Sequence, residues 1–310
     1  MCEFYNIIYV NQHVPRGMIF ITRSKKLLSK IALFAAALIW GSSFIVVKDA
    51  VDVLSPNFLL ALRFSIACIV LSICFYKRLR KISATYMWQG AIIGTLLFLA
   101  YSTQTIGITD TTPGKNAFLT AIYCVIVPFM FWAFTKKKPD GYNVLAAFLC
   151  ITGIGLISIT HSFMIGFGDS LTLVGGVLYA AHLVAVAIFG SDKDAILITI
   201  VQFFYAAIYS WIVTLTFESA PAQINMQAMG AVVYLALFCT AGALLLQNIG
   251  QKNTNPSAAA IILSLESVFG VMFSLVFGYE ILTPKLFCGF VLIFISVIVS
   301  ETKLSFLKRR

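Results

Sequence analysis

The sequence predicts an all-α integral membrane protein, with ten transmembrane helices arranged as two inverted five-helix repeats. Three observations carry this. Apolar residues make up 60% of the 310 and charged residues 11%, with a mean hydropathy of +0.94; a soluble domain averages about 45–50% apolar and about 25% charged. The apolar residues fall in long uncharged stretches, at 31–47, 82–109, 116–135, 141–168, 170–191, 195–217 and 219–251. An eleven-residue pattern occurs twice, 143 positions apart, as Gln104 to Gly114 (QTIGITDTTPG) and Gln247 to Ser257 (QNIGQKNTNPS). Gln, Ile, Gly, Thr and Pro coincide without a gap, and each copy links two apolar segments.

A span needs roughly 20 apolar residues, so the longest stretches each hold a span plus a turn or part of a second. Lipid cannot satisfy exposed backbone groups, which makes helices the default; barrel strands would be shorter and alternating. Helices are expected at about 28–47, 57–76, 86–106, 113–134, 142–159, 170–189, 195–217, 227–249, 256–279 and 284–302. This divides the chain into a leader (1–27), a first repeat (28–160), a second repeat (169–302) and a basic tail (303–310). The leader lacks the small-residue cleavage site of a signal peptide. Met18, followed by Lys25-Lys26 and the first span, offers a second starting point. Five helices per repeat is an odd number, so the second copy sits upside down. Inverted halves around a central site are how many secondary transporters achieve alternating access.

The formal net charge of +10 suggests nucleic acid until it is mapped. With the N-terminus inside, the inner side holds Arg16, Arg23, Lys25, Lys26 and Lys30; Lys77, Arg78, Arg80 and Lys81; Lys136, Lys137 and Lys138; Lys193 and Lys252; and Lys303, Lys308, Arg309 and Arg310. That is eighteen of the 22 basic residues. Lys48, Lys115 and Lys285 fall outside, and Arg63 lies within a span. The positive-inside bias places both termini in the cytoplasm of a cell (plasma or inner) membrane, and no nucleic-acid partner is expected. The seven cysteines form no CxxC pair and mostly sit inside spans, where Cys is a small apolar residue. Neither a disulfide framework nor a metal site is implied, and no cofactor is expected.

Several strings resemble the drug/metabolite transporter superfamily in its EamA-like branch. They are Trp40-Gly41-Ser42-Ser43-Phe44 with Lys48, Pro56 and Arg63-Phe64; Thr112 to Leu119 with Pro128; and Leu265-Glu266 with Gly278-Tyr279-Glu280 and Pro284. Their order and spacing cover residues 28–302, nearly the whole chain. Ser267 stands where family members usually carry a Pro, so the kink that Pro brings is not expected from the sequence there. The resemblance implies a ten-helix, two-repeat transporter moving small metabolites or drugs, often outward, without naming the substrate.

Glu266 lies ten residues into the ninth helix, about 15 Å deep at 1.5 Å per residue. A charge there costs at least about 2.5–3.5 kcal/mol on insertion scales, so it must face protein or water. It heads a stripe of small residues, Gly270, Ser274 and Gly278, which lets helices approach closely, within the chain or in a homodimer. It is either a proton-titratable or ammonium-binding group, or a scaffold carboxylate held for packing. The offset of 143 aligns Tyr123 with Glu266, and Asn116, Thr120 and Tyr123 form a polar stripe, either helix–helix glue or a cavity wall. Trp40 and Ser43 of the first span align, at an offset of 139, with Tyr179 and His182 of the sixth. Together with Tyr101 these residues (Trp40, Ser43, Tyr101, Asn116, Tyr123, Tyr179, His182 and Glu266) are the candidate contacts for a small-molecule solute. Aromatic walls suit amphipathic or ring-bearing metabolites, and the competing reading is ordinary core packing.

Gln104 and Gly107 near the outer end of the third helix, and Gln247 and Gly250 near the inner end of the eighth, read as gate hairpins at opposite mouths or as plain turn chemistry. In that reading the glycines free the backbone, and Pro113 and Pro256 start the following helices. Arg63 either snorkels to the headgroups, pairs with Asp49 or Asp52, or binds a substrate anion. Lys48, Glu280 and Lys285 are read as solvated boundary residues. Pro128 allows a bend in the fourth helix that the second half does not share.

A secondary transporter of small organic solutes, working as an exporter, is the leading function. An intramembrane enzyme would need HExxH, GxSxG or paired Asp at helical spacing within a span, and a pump a GxxxxGK[ST] loop; the sequence has none of these. A receptor or structural protein has no use for two opposite-facing copies.

Overall fold

The computed structural model describes residues 16–158, 166–218, 225–279 and 281–303. Glu280 of the family-like string, and the leader through residue 15, lie outside these. Every regular element described is helical. The first half holds α1 (Arg16–Val51), α2 (Pro56–Cys74), the single turn α3 (Tyr76–Leu79), α4 (Ala84–Gly107), α5 (Pro113–Thr120), α6 (Tyr123–Thr135) and α7 (Gly141–Ser158). The second holds α8 (Phe167–Phe189), α9 (Ala195–Phe217), α10 (Met226–Tyr234), α11 (Ala243–Gln251), α12 (Pro256–Leu263), α13 (Leu265–Val276) and α14 (Pro284–Thr302). Among the described residues eight segments are long and apolar enough to cross a bilayer: Ser24–Val51, Pro56–Cys74, Ala84–Asp110, Pro113–Thr135, Phe167–Phe189, Ala195–Phe217, Met226–Gln251 and Pro256–Val276. Shorter apolar helices, Gly141–Gly153 and Phe287–Ser296, occupy the fifth and tenth expected positions.

The starts are set by local chemistry. Pro56, Pro113 and Pro256 open their helices, where a missing N–H costs nothing. Thr112, Asp194, Asn225 and Asn255 cap with side-chain oxygens that accept from Lys115, Ile196, Ala228 and Ser257 N–H groups.

Three of the ten expected spans, the fourth (Pro113–Thr135), the eighth (Met226–Gln251) and the ninth (Pro256–Val276), are not the single helices expected. The fourth breaks between α5 and α6 at Ala121-Ile122, and the ninth breaks at Ser264, again 143 positions on. In the fourth, Cys124 N–H bonds Ala121 O (3.1 Å) and Val125 N–H bonds Ile122 O (3.0 Å), three-residue steps that tighten the turn. Pro128 lies inside α6, more than a turn beyond that break. The ninth breaks without a proline: Ser264 Oγ donates to Ile261 O and Ser267 Oγ donates to Ser264 O, each at 2.7 Å. Hydroxyls bonding the preceding turn bend helices. The eighth span is wound as a π-helix over Leu235–Gly242, where the Thr240 hydroxyl donates to Leu235 O at 2.8 Å. The small-residue stripe of the ninth span ends at Ser274, because α13 stops at Val276 and Gly278 takes φ +81° beyond it.

α4 packs on α8 and α9, α1 on α11 and α13, α2 on α9, and α7 on α14. Glycines set the closest crossings: a Cβ on Gly41 would fall 2.3 Å from Phe269 Cβ, and one on Gly270 would fall 2.8 Å from Ala117 Cβ. At one end of the bundle Lys115 pairs with Asp169, which also accepts from Thr111 Oγ1 at 2.9 Å. Lys48, expected to be solvated, there donates to Ile108 O (2.9 Å) and Thr109 O (3.0 Å), the carbonyls left free where α4 ends. Lys285 is exposed. At the other end Arg78 bridges Asp194 and Lys303 bridges Asp140, both at 2.7 Å.

Candidate functional site

The interrupted helices meet the long ones around a narrow internal cleft of about 40 Å³. Its walls come from α1 (Trp40, Ser43, Phe44, Val47), α2 (Arg63), α4 (Tyr101, Gln104, Thr105), α5 and α6 (Asn116, Tyr123), α8 (Tyr179, Leu183), α11 (Gln247) and α12 and α13 (Leu263, Glu266). That space holds only a few waters. Glu266 is the second residue of α13, just past the break at Ser264, and Tyr123 is the first of α6, just past the matching break. Each interruption therefore delivers a polar side chain to the same space.

The aromatic wall is continuous. The Tyr101 and Tyr179 rings meet edge-on at 5.4 Å, and Tyr123 lies 6.5 Å from Tyr179. The Trp40 indole N–H donates to Cys239 O at 2.8 Å, tying α1 to the π-helical segment. Ser43 Oγ donates to Trp40 O at 2.7 Å. A polar string crosses the halves: Tyr179 OH donates to Gln104 Oε1 and Gln104 Nε2 donates to Thr120 Oγ1, both at 2.9 Å. Asn116 Nδ2 donates to Thr172 Oγ1 at 2.8 Å, while its Oδ1 has no partner among the described residues. The Tyr123 hydroxyl, which lines the cleft together with Glu266, is likewise buried and has no hydrogen-bond partner among the described residues.

Seven of the eight predicted solute contacts line this cleft; His182 does not. It is 1% exposed and shares a hydrogen bond with Gln202 Oε1 at 3.1 Å, because its position three residues past Tyr179 turns it toward α9. Gln104 and Gln247, read as opposite mouths, both line the central cleft. Gly107 and Gly250 do not free the backbone. Both are helical, and each lets a neighbour close in: an added Cβ would sit 2.4 Å from Thr172 Oγ1 at Gly107, and 2.6 Å from Leu33 Cγ at Gly250.

Arg63 is the residue the sequence placed least well. It neither snorkels nor pairs with Asp49 or Asp52. It is 2% exposed, donates from Nε to Thr240 Oγ1 at 3.1 Å, and lies over the Tyr101 ring, 5.2 Å from its centroid. The hydroxyl that holds it belongs to the π-helical segment, whose wider turn carries no plain sequence signature. No group of three or more His, Cys, Asp or Glu suited to a metal occurs among the described residues.

A bundle of apolar helices enclosing a polar, aromatic cleft at the meeting point of broken helices is the architecture of a membrane transporter. The EamA-like transporter family model matches residues 27–159 and 166–302, and the chain belongs to that family. An uncharacterized transporter of Archaeoglobus fulgidus is 34% identical over 275 residues, covering 89% of this chain and 86% of the relative. The uncharacterized transporter YyaM of Bacillus subtilis is 25% identical over 287 residues, 87% of this chain and 92% of the relative. A crystal structure 17% identical superposes with a TM-score of 0.73 over 91% of this chain and 99% of the other, which shows a shared fold.

Proposed function

We propose that the chain is a secondary transporter of small organic solutes, an exporter in the cell membrane, working by alternating access of two inverted five-helix halves (28–160 and 169–302). The observation that carries this reading is the parentage of the cleft. Two pairs of its polar residues lie 143 positions apart, Gln104 with Gln247 and Tyr123 with Glu266, one member from each half. The packing supports the same symmetry. Exchanging the halves turns the contact of α4 with α8 into that of α1 with α11, and α6 with α8 into α1 with α13, while α2–α9 and α7–α14 map onto themselves. Counting α7 and α14 as the fifth and tenth spans inverts one half relative to the other. Eighteen of 22 basic residues then lie on the cytoplasmic side with both termini.

In this reading the Lys115–Asp169 pair joins the halves at the outer end and must separate when that end opens. The chain carries no nucleotide-hydrolysis loop, so a solute or ion gradient supplies the energy, and the protein does no covalent chemistry on its cargo. The outward direction follows the family resemblance.

The test is metabolite profiling of the medium around cells expressing the intact chain or Glu266→Gln. One compound class accumulating outside only with the intact chain supports the reading. Accumulation with both makes Glu266 a scaffold group. A chain present in the membrane with no change in any compound, inside or outside, rejects transport.

A further inference from the structure

Given the transport reading of the cleft, on which this rests, we propose that a second pocket, between α8, α9 and α11 at the Lys252 end, is the antechamber of the cleft. It is a first docking place for a solute with an N–H or O–H donor, and Gln251 is the door between the two spaces. The pocket holds about 160 Å³, against about 40 Å³ in the cleft itself. It runs from an exposed rim at Ser191 and Lys252 to a buried floor of Ile198, Asn248 and Gln251. Lys193 and Lys252 put that rim on the side that the basic residues assign to the cytoplasm.

A single hydrogen-bonded residue links the two walls. Gln251 is 6% exposed; its Oε1 accepts from Gln247 Nε2 at 2.9 Å, and its Nε2 donates to Leu183 O at 3.1 Å. Gln247 and Leu183 line the cleft, while Gln251 lines the antechamber. A glutamine side chain moves between rotamers without shifting the helix that carries it, so breaking these two bonds opens one space to the other. The door belongs to one end only: 143 positions earlier stands Ile108, whose side chain has no polar atom.

The floor carries the docking chemistry. Thr199 gives its hydroxyl hydrogen to Ala195 O at 2.6 Å, so toward Asn248 it accepts, from Nδ2 at 2.7 Å. That bond fixes which way the amide points and leaves Asn248 Oδ1 buried with no partner among the described residues. The Thr254 hydroxyl, in the same wall, is buried and unpartnered in the same sense. A buried acceptor without a donor is costly, and an arriving N–H or O–H group satisfies it in place of water.

The experiment adds one cysteine at a time to the full chain, by Ala187→Cys in the antechamber wall or Ser43→Cys in the cleft wall. Right-side-out and inside-out membrane vesicles are treated with a charged, membrane-impermeant methanethiosulfonate. Labelling is read by mass spectrometry on the peptide that carries the new thiol. Ala187→Cys should react at least about tenfold faster from the inner face than from the outer. Ser43→Cys should react slowly from the inner face while Gln251 is intact. Combined with Gln251→Ala it should react at least about tenfold faster there, with no gain from the outer face. Gln247→Leu removes one of the two bonds from the cleft side and should raise the inner rate as well, so either door variant suffices if the other fails to fold. Reaction of Ala187→Cys from the outer face only or from neither, or a Ser43→Cys rate that no folded door variant changes, overturns the proposal. Exported compounds without any N–H or O–H group overturn the docking role of Asn248. Export in the profiling experiment with unchanged accessibility rejects the door alone; changed accessibility with no compound transported rejects the transport reading and leaves the door.

Discussion

Trp40 donates its indole N–H to the carbonyl oxygen of Cys239, 199 residues later, at 2.8 Å. The acceptor lies in the π-helical turn Leu235–Gly242, so the first span and the widened part of the eighth hold each other in register behind the cleft. Single-turn π segments recur at functional sites, and here the same segment presents Thr240 to Arg63.

Trp40→Phe keeps the ring and removes the donor, leaving a buried carbonyl short of a partner. The expected loss is about 1–3 kcal/mol, read as a lower midpoint in detergent thermal unfolding. An unchanged midpoint would show that the bond contributes nothing net.

Gly41→Ala should be far more damaging than Gly230→Ala. The added methyl meets Phe269 Cβ at 2.3 Å in the first case and nothing within 4 Å in the second. Overpacking of this kind costs about 1–3 kcal/mol, and the α1–α13 crossing that carries Glu266 has no slack. Equal stabilities for the two variants would contradict the crossing described.

Ser267→Pro should be tolerated, whereas Ser274→Pro should cost about 3 kcal/mol or more. Ser267 lies in the first turn of α13, next to an existing break, while Ser274 lies inside the helix. The chain thus reaches through serine hydroxyls the interruption that a proline would otherwise impose. Comparing expression and thermal stability of the two variants decides it; equal damage would mean that α12 and α13 are one helix.

Asp194 caps α9 and bridges Arg78 outside the spans. Burial raises its carboxyl, but the Ile196 N–H and the Arg78 guanidinium outweigh burial and hold it below the usual carboxylate range. A depressed folded value means that its stabilisation is present above the unfolded value, near about 4, and fades as pH falls through the lower folded one. Asp194→Ala should therefore cost about 1 kcal/mol at neutral pH, and the two midpoints should draw together in acid. A gap that is constant down to low pH argues against the charged cap.

Much of the site was legible because depth in a span is readable from sequence. Glu266, Trp40 and Tyr179 declare themselves as polar or aromatic groups far from either end of an apolar run, and the offset of 143 ties Tyr123 to Glu266. Facing is a different matter. His182 shares its depth with Tyr179 but points at Gln202, and Arg63 was read from its distance to the helix end rather than from the helix it turns toward. Gly107 and Gly250 look like hinge residues in a repeated turn motif, yet each is the point where another helix lies against the backbone.

The sequence by itself determined the class of environment, the helical character and the repeated motif, because lipid demands long apolar segments with internal hydrogen bonds. It also determined which polar residues lie deep. Only the tertiary structure decided which of them share a cleft, because rotation about a helix axis is set by the close approach of neighbouring helices at small residues. The same packing decided where the fourth, eighth and ninth spans break or widen, since tightened turns, serine hydroxyls and one threonine redirect backbone bonds that hydropathy does not register. Arg63 and Glu266, 203 positions apart in the chain, become one site only once α2 and α13 converge.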